Sequence, residues 1–386
     1  MKILICRFNG LGEKGIIDSL KRLGYTVFEY DKKCDNYDTD ISYLEGLAAS
    51  IDRYKPDKVF SINYFPIVSK VCKIYGLLYY SWVYDCPELH LYSKSITNKV
   101  NRIFVFDKVM YERLKRRSPY NIFYLPLATE PVEDFDSWIS NEEKKRYSHD
   151  ITFIGSLYNE KKRQYHQLES LPDYERGYIE GLVQAQVNVF GYNFIMDSLS
   201  DDIVERIRKQ LGYESIDDYE IENREIIADH YIGVYASSIE RIKTLQKVAD
   251  VHTLSIYTDS DISMLNNVEN CGIADSVTMT PKIYHLSKIN LNITMKPIQS
   301  GVPLRVFDVL GVGGFLITNY QPEILKYFED GKDLVVYESL DDLQYKIHYY
   351  LEHEDERKKI ARQGYKKVKE NFTYEKLLEM MMMLNL

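Results

Sequence analysis

The sequence predicts an α/β protein made of two parallel-sheet units, and three observations carry that prediction. Short apolar runs alternate with helical periodicity from Met1 to Leu125, the pattern of parallel strands joined by helical crossovers. An acidic, polar stretch carrying Pro131 then interrupts it between Thr129 and His149, as a connection between domains does. The alternation resumes at Ile151 and culminates in a strand–helix–strand step between Ser287 and Glu323. A length of 386 residues with 45% apolar side chains supports two or three cores of ordinary size.

Each element has a local reason. MKILICRF reads as a buried strand, Gly12 to Leu23 as a helix, Tyr25 to Tyr30 as a strand and Ile41 to Tyr54 as a helix. Lys58 to Asn63 follows Pro56 as a strand, Pro66 to Tyr75 opens as a helix on its proline, and Leu77 to Val83 is the next strand. Arg102 to Phe106, Lys108 to Arg117 and Ile122 to Leu125 close the first unit as strand, helix and strand. Ligands on such sheets bind beyond the carboxyl ends of the strands, so the loops Asn9 to Lys14, Asn63 to Pro66 and Tyr84 to His90 are expected to share a crevice. In the second unit ITFIGSLYN supplies the first strand, and a stretch of helical period runs to about Asp250. Strands are then expected at Leu254 to Thr258, Ser276 to Met279, Lys288 to Met295, Phe315 to Asn319 and Asp333 to Tyr337. Amphipathic helices from Leu340 to Asn371 and a Met-rich helix from Tyr374 to Leu386 end the chain.

Charge and cysteine usage narrow the function. Forty-nine basic against 58 acidic side chains leave a formal charge of −9, the wrong sign for a nucleic-acid binder. The apolar runs stay far below the roughly 18 to 20 residues of a membrane span, and the opening Met1 to Cys6 is too short for a signal peptide, so a cytoplasmic protein is expected. Cys6, Cys34, Cys72, Cys86 and Cys271 are odd in number and never spaced CxxC, which points to reduced thiols with neither a disulfide framework nor a zinc site. The basic run Glu112 to Arg117, ERLKRR, reads as a solvated helix face or as a peripheral contact with an anionic membrane or acceptor.

Two stretches carry chemistry. Gly10, Gly12 and Gly15 spell GxGxxG after the first strand, and Glu29 ends the second strand nineteen residues beyond Gly10. That is the fingerprint of a dinucleotide site, so an NAD(P)- or flavin-dependent oxidoreductase is one alternative. Glu13 and Lys14 inside the turn speak against it. The other stretch is SKINLNITMKPIQSGVPLRVFDVLGVGGFLITNYQPE. A helix opening behind Gly301 and Pro303 presents unpaired amides and a dipole that attract an anion such as a diphosphate. Arg305 in its first turn can add a charge-assisted contact, and Asp308 one turn on can accept from ribose hydroxyls. The plainer reading makes Arg305 and Asp308 an exposed helix pair worth about 0.2–0.5 kcal/mol.

This segment, with PLRVFDVLGVGGFLITNYQPE at its centre, resembles the donor-nucleotide region of GT-B glycosyltransferases, specifically the CgeB-like spore-maturation type. The similarity runs from about Trp82 to the end and is strongest from Lys282 to Tyr374, including VVYESLDDL and YYLEHEDERKKIARQG. RGYIEGLVQAQVNVFGYNFI, Arg176 to Ile195, looks like the helical region of the same family. The resemblance implies a GT-B fold, two Rossmann-like domains whose parallel sheets face a cleft. The first would be 1–130 on the acceptor side. A linker 131–150 leads to the nucleotide-sugar domain 151–372 with a helical insertion at about 160–250, and helix 373–386 returns to the first domain.

The implied activity is transfer of a sugar from a nucleotide-diphosphate sugar to a hydroxyl of a glycan or protein, with no essential metal and no other cofactor. A non-catalytic module binding sugar nucleotide or glycan is the second alternative. The implied donor contacts are Gly301, Val302, Leu304 and Arg305 for the diphosphate and Asp308 for the ribose. Arg163 in FIGSLYNEKKR would reach the diphosphate, and the backbone of Ile283 the nucleobase; Gly12, Tyr257 and Ser300 complete the donor set. In SWVYDCPELH, Asp85 is the first candidate for the base that deprotonates the acceptor and His90 the second; the alternative for Asp85 is a turn cap before Pro87. Asp259 and Asp261 form a DxD, which binds metal in the other major glycosyltransferase fold and here sits where a turn belongs. Many retaining GT-B enzymes carry two glutamates eight positions apart around this helix, and this chain has Ser300 and Asp308 there. With Asp85 as base, the departure favours direct displacement with inversion.

Overall fold

A computed structural model describes residues 1–212 and 218–383, and they divide into two compact units. The first contains Met1 to Glu130, a short stretch ending at Ile221, and the C-terminal helix Tyr374–Met383. The second contains Pro131 to Glu214 and Glu222 to Asn371, as far as these are described.

The first unit is a sheet of six parallel strands: β1 (Lys2–Cys6), β2 (Thr26–Tyr30), β3 (Lys58–Ile62), β4 (Leu78–Trp82), β5 (Asn101–Val105) and β6 (Ile122–Tyr124). Their spatial order is β2-β1-β3-β4-β5-β6. Helices cross between them where the sequence supplies start signals. Asp40 caps Ile41–Tyr54 by accepting from the Tyr43 amide at 2.9 Å, Asp107 caps Lys108–Arg117 through Met110 at 2.8 Å, and Pro66 opens Pro66–Tyr75. The order reverses between β1 and β3, and the strand carboxyl ends there form the natural ligand crevice.

At that crevice the glycine loop does something other than cradle phosphate. Gly12 is left-handed at φ 79°, and a Cβ there would collide with the hydroxyl of Tyr374 on the C-terminal helix. At Gly15 a Cβ would lie 2.6 Å from the same ring. The anion position is also taken from within the chain, because the buried Glu13 carboxylate accepts from the Phe8 amide at 3.1 Å and from Arg7 Nε at 2.8 Å. The helix returns on a methionine-rich face, burying Leu377, Leu378, Met381 and Met382.

The second unit repeats the design with β7 (Ile151–Ile154), β8 (Leu254–Tyr257), β9 (Val268–Asn270), β10 (Ile289–Asn292), β11 (Leu316–Asn319) and β12 (Val335–Tyr337), all parallel, in the order β12-β11-β10-β7-β8-β9. Its reversal lies between β7 and β10. Between β7 and β8 the chain is helical and builds its own core around Ile179, Val183, Ile203, Ile207 and Ile232.

Two local expectations fail for physical reasons. The third strand is Val268–Asn270, a short polar edge strand without the apolar alternation that sequence reading requires. Ser276 to Met279 is instead a turn pinned by Asp275, whose carboxylate accepts from the amides of Val277 at 3.0 Å and Thr278 at 2.6 Å. The stretch read as a linker also holds two short helices. Asn141–Tyr147 opens on a full capping box between Ser140 and Glu143, and Lys282 binds that Glu143 at 2.5 Å.

Candidate functional site

The helix Leu304–Gly311 starts at Pro303, whose own side chain offers no cap to the first amides. Its inner face buries Val306, Phe307, Val309 and Leu310, each contributing about 1.5–3 kcal/mol. Gly364 lets the helix Glu354–Asn371 press against Leu310 from behind, a Cβ there meeting its Cδ2 at 2.7 Å. Packing therefore fixes the helix while its amino end, at Pro303, Leu304 and Arg305, stays only half-buried. Gly301 and Val302 are buried just ahead of it.

Arg305 does not form the exposed pair with Asp308. Its Nη1 turns inward to Asn292 Oδ1 at 2.9 Å, at the end of β10, and its guanidinium lies over Phe153 of β7 at 5.4 Å. It also fills the space above Gly155, where a Cβ would come within 2.6 Å of Nη2. Nε is buried and has no partner. A second guanidinium, Arg241, stacks on the same Phe153 ring at 5.5 Å and on Tyr158 at 4.3 Å. Arg241 is 3% exposed and donates to the carbonyls of Ile293 and Ser156, so it ties together the loops that leave β10 and β7. Burial lowers its pKa, and the Arg305 charge lowers it further. Among the described residues neither guanidinium makes an ion pair. A further buried cation, Lys296, is paired with Glu240 at 3.0 Å, and burial raises that carboxyl. The loops at the sheet's reversal point thus hold the buried Arg241 and the half-buried Arg305 without a carboxylate paired to either among the described residues, an arrangement that favours an anion.

Asp308 is half-buried one turn beyond Arg305. Burial raises the pKa of the nearby Tyr284 phenol, with the Arg305 charge opposing and the Asp308 charge reinforcing the shift. Ser300 lies at the mouth, and its hydroxyl donates to Glu323 Oε1 at 2.5 Å while the Glu323 amide donates to the Ser300 carbonyl at 3.1 Å. Both residues are buried. A carboxylate 23 positions further on is therefore held against the Ser300 hydroxyl. Next to it, Lys296, Gln299, Asn319 and Gln321 line a small polar cleft.

Other expected donor contacts lie elsewhere or are occupied. Arg163 bonds Glu160 at 2.5 Å and covers Tyr158. Burial would raise the Glu160 carboxyl, but the Arg163 and Ser156 hydrogen bonds override it and hold its pKa at about 2. The backbone of Ile283 is consumed inside the helix Thr280–Leu286: its amide donates to Met279 and its carbonyl accepts from Ser287, each at 3.0 Å. Tyr257 points back toward the amino end of β7, where its hydroxyl meets His149 Nε2 at 2.8 Å. Gly12 belongs to the first unit and faces Tyr374, as described. Asp261 caps its own turn through the Ser263 amide at 2.8 Å.

In the first unit, Asp85 follows β4 and accepts from Asn63 Nδ2 at 2.7 Å, while Asn63 Oδ1 in turn accepts from the amides of Tyr84 and Asp85. The residue's outer edge reaches solvent. The protein packed around its carboxyl nevertheless raises the pKa, with the Glu88 charge adding and Asn63 opposing. His90 Nδ1 lies 2.6 Å from Glu88 Oε1. A carboxylate only accepts, so the Nδ1 proton is donated and Nε2 keeps the lone pair of a base. Tyr37 and Phe65 pack beside the imidazole, with centroids at 5.2 and 6.3 Å. Sequence reasoning did not reach Arg241, Phe153, Glu323 or Glu88. Only Glu88 had a local signal, as an acid two residues from a histidine.

Residues 243–383 match a family model described as glycosyl transferase-like. No curated protein matches the chain. Among solved structures it is similar to Anabaena Alr3699/HepE in complex with UDP and glucose, with a TM-score of 0.56 at 8% identity over 99% of this chain and 98% of that one. It is similar as well to sucrose-phosphate synthase from Thermosynechococcus elongatus, with a TM-score of 0.53 at 9% identity over 100% and 98%. A glycosyltransferase from Rickettsia africae ESF-5 gives 0.50 at 13% identity over 99% and 97%. The fold is GT-B, and the glycosyl transferase-like match lies at 243–383, within the second unit and the C-terminal helix.

Proposed function

We propose that the protein is a CgeB-like enzyme that moves a sugar from a nucleotide-diphosphate donor to a hydroxyl of a glycan or protein acceptor in the cytoplasm. The observation that carries the donor site is the pair of guanidiniums, Arg241 and Arg305, stacked on one phenylalanine at the sheet's reversal point without an ion pair. In this reading the donor diphosphate is the missing anion. It meets the Leu304 and Arg305 amides and the Arg305 guanidinium, with Arg241 reinforcing the field and holding both loops in place. Asp308 takes the ribose, and Glu323 with Ser300 faces the sugar hydroxyls. The guanidiniums and helix amides neutralise the leaving diphosphate, which makes an essential metal unnecessary.

The acceptor hydroxyl needs a base. Asp85 is the first choice, because its raised pKa makes it a stronger base than an ordinary carboxylate, and His90 oriented by Glu88 is the second. The hydroxyl oxygen then attacks C1 with inversion, its proton passes to the base, and the nucleotide diphosphate departs with the bonding pair. The dinucleotide alternative is disfavoured by Tyr374 and Glu13, which occupy the glycine loop. Among the described residues no helix is long and apolar enough to cross a membrane.

The test is a thermal-shift panel of UDP, GDP, dTDP and NAD, followed by nucleotide release from the matching sugar donors. UDP comes first because a structural neighbour was solved with UDP-glucose. Stabilisation by a nucleoside diphosphate and not by NAD supports the donor site, and the reverse pattern refutes it. Binding without release from any donor and acceptor would mark a non-catalytic module.

A further inference from the structure

The β7-β8-β9 edge of the second sheet carries a different group of reactive side chains. His149 stands just ahead of β7. Glu269 on β9 and Cys271 just after it are two positions apart, so strand alternation sets both on one face. Ser255 on the intervening β8 pairs with Glu269 in register, and Tyr257 lies two positions further on. These side chains converge on the imidazole. Nε2 lies 2.8 Å from the Tyr257 hydroxyl, and Nδ1 lies 2.8 Å from Ser255 Oγ and 3.9 Å from Glu269 Oε2. Ser255 Oγ in turn donates to Glu269 Oε2 at 2.8 Å. One ligand atom each from His149, Glu269 and Cys271 lies within 4.8 Å of the other two.

We propose that His149, Glu269 and Cys271 bind a zinc-type divalent cation. Imidazole, carboxylate and thiolate together form a borderline-soft donor set of the kind zinc takes, with water completing four-coordination. Zn–N and Zn–O bonds of about 2.0 Å and a Zn–S bond of about 2.3 Å put tetrahedral ligand atoms about 3.3 to 3.6 Å apart. The three donors therefore need to close by up to about 1.5 Å. Glu269, with 60% of its side chain exposed, can swing by that amount. The imidazole gives up one hydroxyl neighbour to the metal and keeps the other, and the retained hydroxyl orients the ring as outer partners of ligating histidines do. Binding releases the Cys271 thiol proton to solvent, and no electrons are transferred.

The consequence is structural. The ion fastens the short edge strand β9 to the chain ahead of β7 across β8. His149 is remote in sequence from Glu269 and Cys271, which is why spacing along the chain gave no zinc signal.

The test uses the whole protein, stripped with a chelator and titrated with Co²⁺, then reloaded with Zn²⁺, desalted and assayed for bound metal. One equivalent of zinc and a thiolate-to-cobalt charge-transfer band are expected. Cys271→Ser should abolish the band and weaken zinc by about tenfold or more. Glu269→Ala, at an exposed position that leaves folding intact, should weaken zinc to the same degree. Nucleotide-induced stabilisation should persist in both variants. Absence of the cobalt band in the wild-type protein, or equal zinc affinity in wild type and both variants, overturns the proposal.

Discussion

Arg305→Met isolates the charge at the centre of the proposed donor site. The variant keeps the stem that packs near Phe153 and removes the guanidinium, with its bond to Asn292 and its unpartnered Nε. Without ligand the two effects oppose each other. Losing an unsatisfied buried donor gains about 1–3 kcal/mol, and leaving Asn292 Oδ1 without its donor costs about the same. The unliganded variant should therefore melt close to the wild type. With ligand the outcome is one-sided. A hydrogen bond to a charged group contributes about 2 kcal/mol, so its loss weakens binding about 30-fold. UDP at 100 times the wild-type Kd stabilises that protein by about 2.7 kcal/mol and the variant by only about 0.9. Differential scanning fluorimetry at fixed UDP should thus show the nucleotide shift cut to about a third. Gly155→Ala is the companion variant, since a Cβ at φ 147° would displace Nη2 while preserving the charge. An undiminished shift in Arg305→Met would refute the placement of the diphosphate.

Three further predictions address separate groups. Turnover should fall on the acid side at a higher pH than an ordinary carboxylate would dictate, because Asp85 must be deprotonated to act and its pKa is raised; Asp85→Asn should abolish turnover while UDP binding persists, and an active variant leaves His90 as the base. Glu323→Gln should retain the shift caused by UDP but lose the additional shift caused by the sugar of the matching donor, measured as the difference between the two ligands. Lys282 depresses the Glu143 carboxyl from 4.5 to about 2, so its stabilising contribution is present above pH 4.5 and is lost as pH falls through about 2; Lys282→Met should flatten that part of the melting-temperature profile.

The sheets were legible because their determinants are local. Asp40, Pro66 and Asp107 announce helices that begin where the sequence places them, and the apolar runs of β1, β3 and β10 have no other use. Where the determinant was not apolar, reading failed. Val268–Asn270 is a strand only because β8 offers it a parallel edge, and the Asp275 turn lies in a stretch that reads as β-branched. The donor region divides in the same way. Arg305 and Asp308 stand out because a helix start and a one-turn spacing occur in one short segment. Arg241 is one charge among many on a long helix, and it acquires meaning only when β7 and β10 become neighbours and share Phe153. Glu323 likewise meets Ser300 through the turn after β11, a closure no local pattern encodes.

The seat of Tyr374 on Gly12 and Gly15 bears on how the first unit is made. The sheet from β1 to β6 leaves the ribosome early, but the helix that covers its glycine loop is synthesised only after the whole second unit. Throughout elongation the nascent first unit exposes the apolar surface that Leu377, Leu378 and Met381 will cover. Chains released before that helix is made should therefore be substrates for chaperones or proteases.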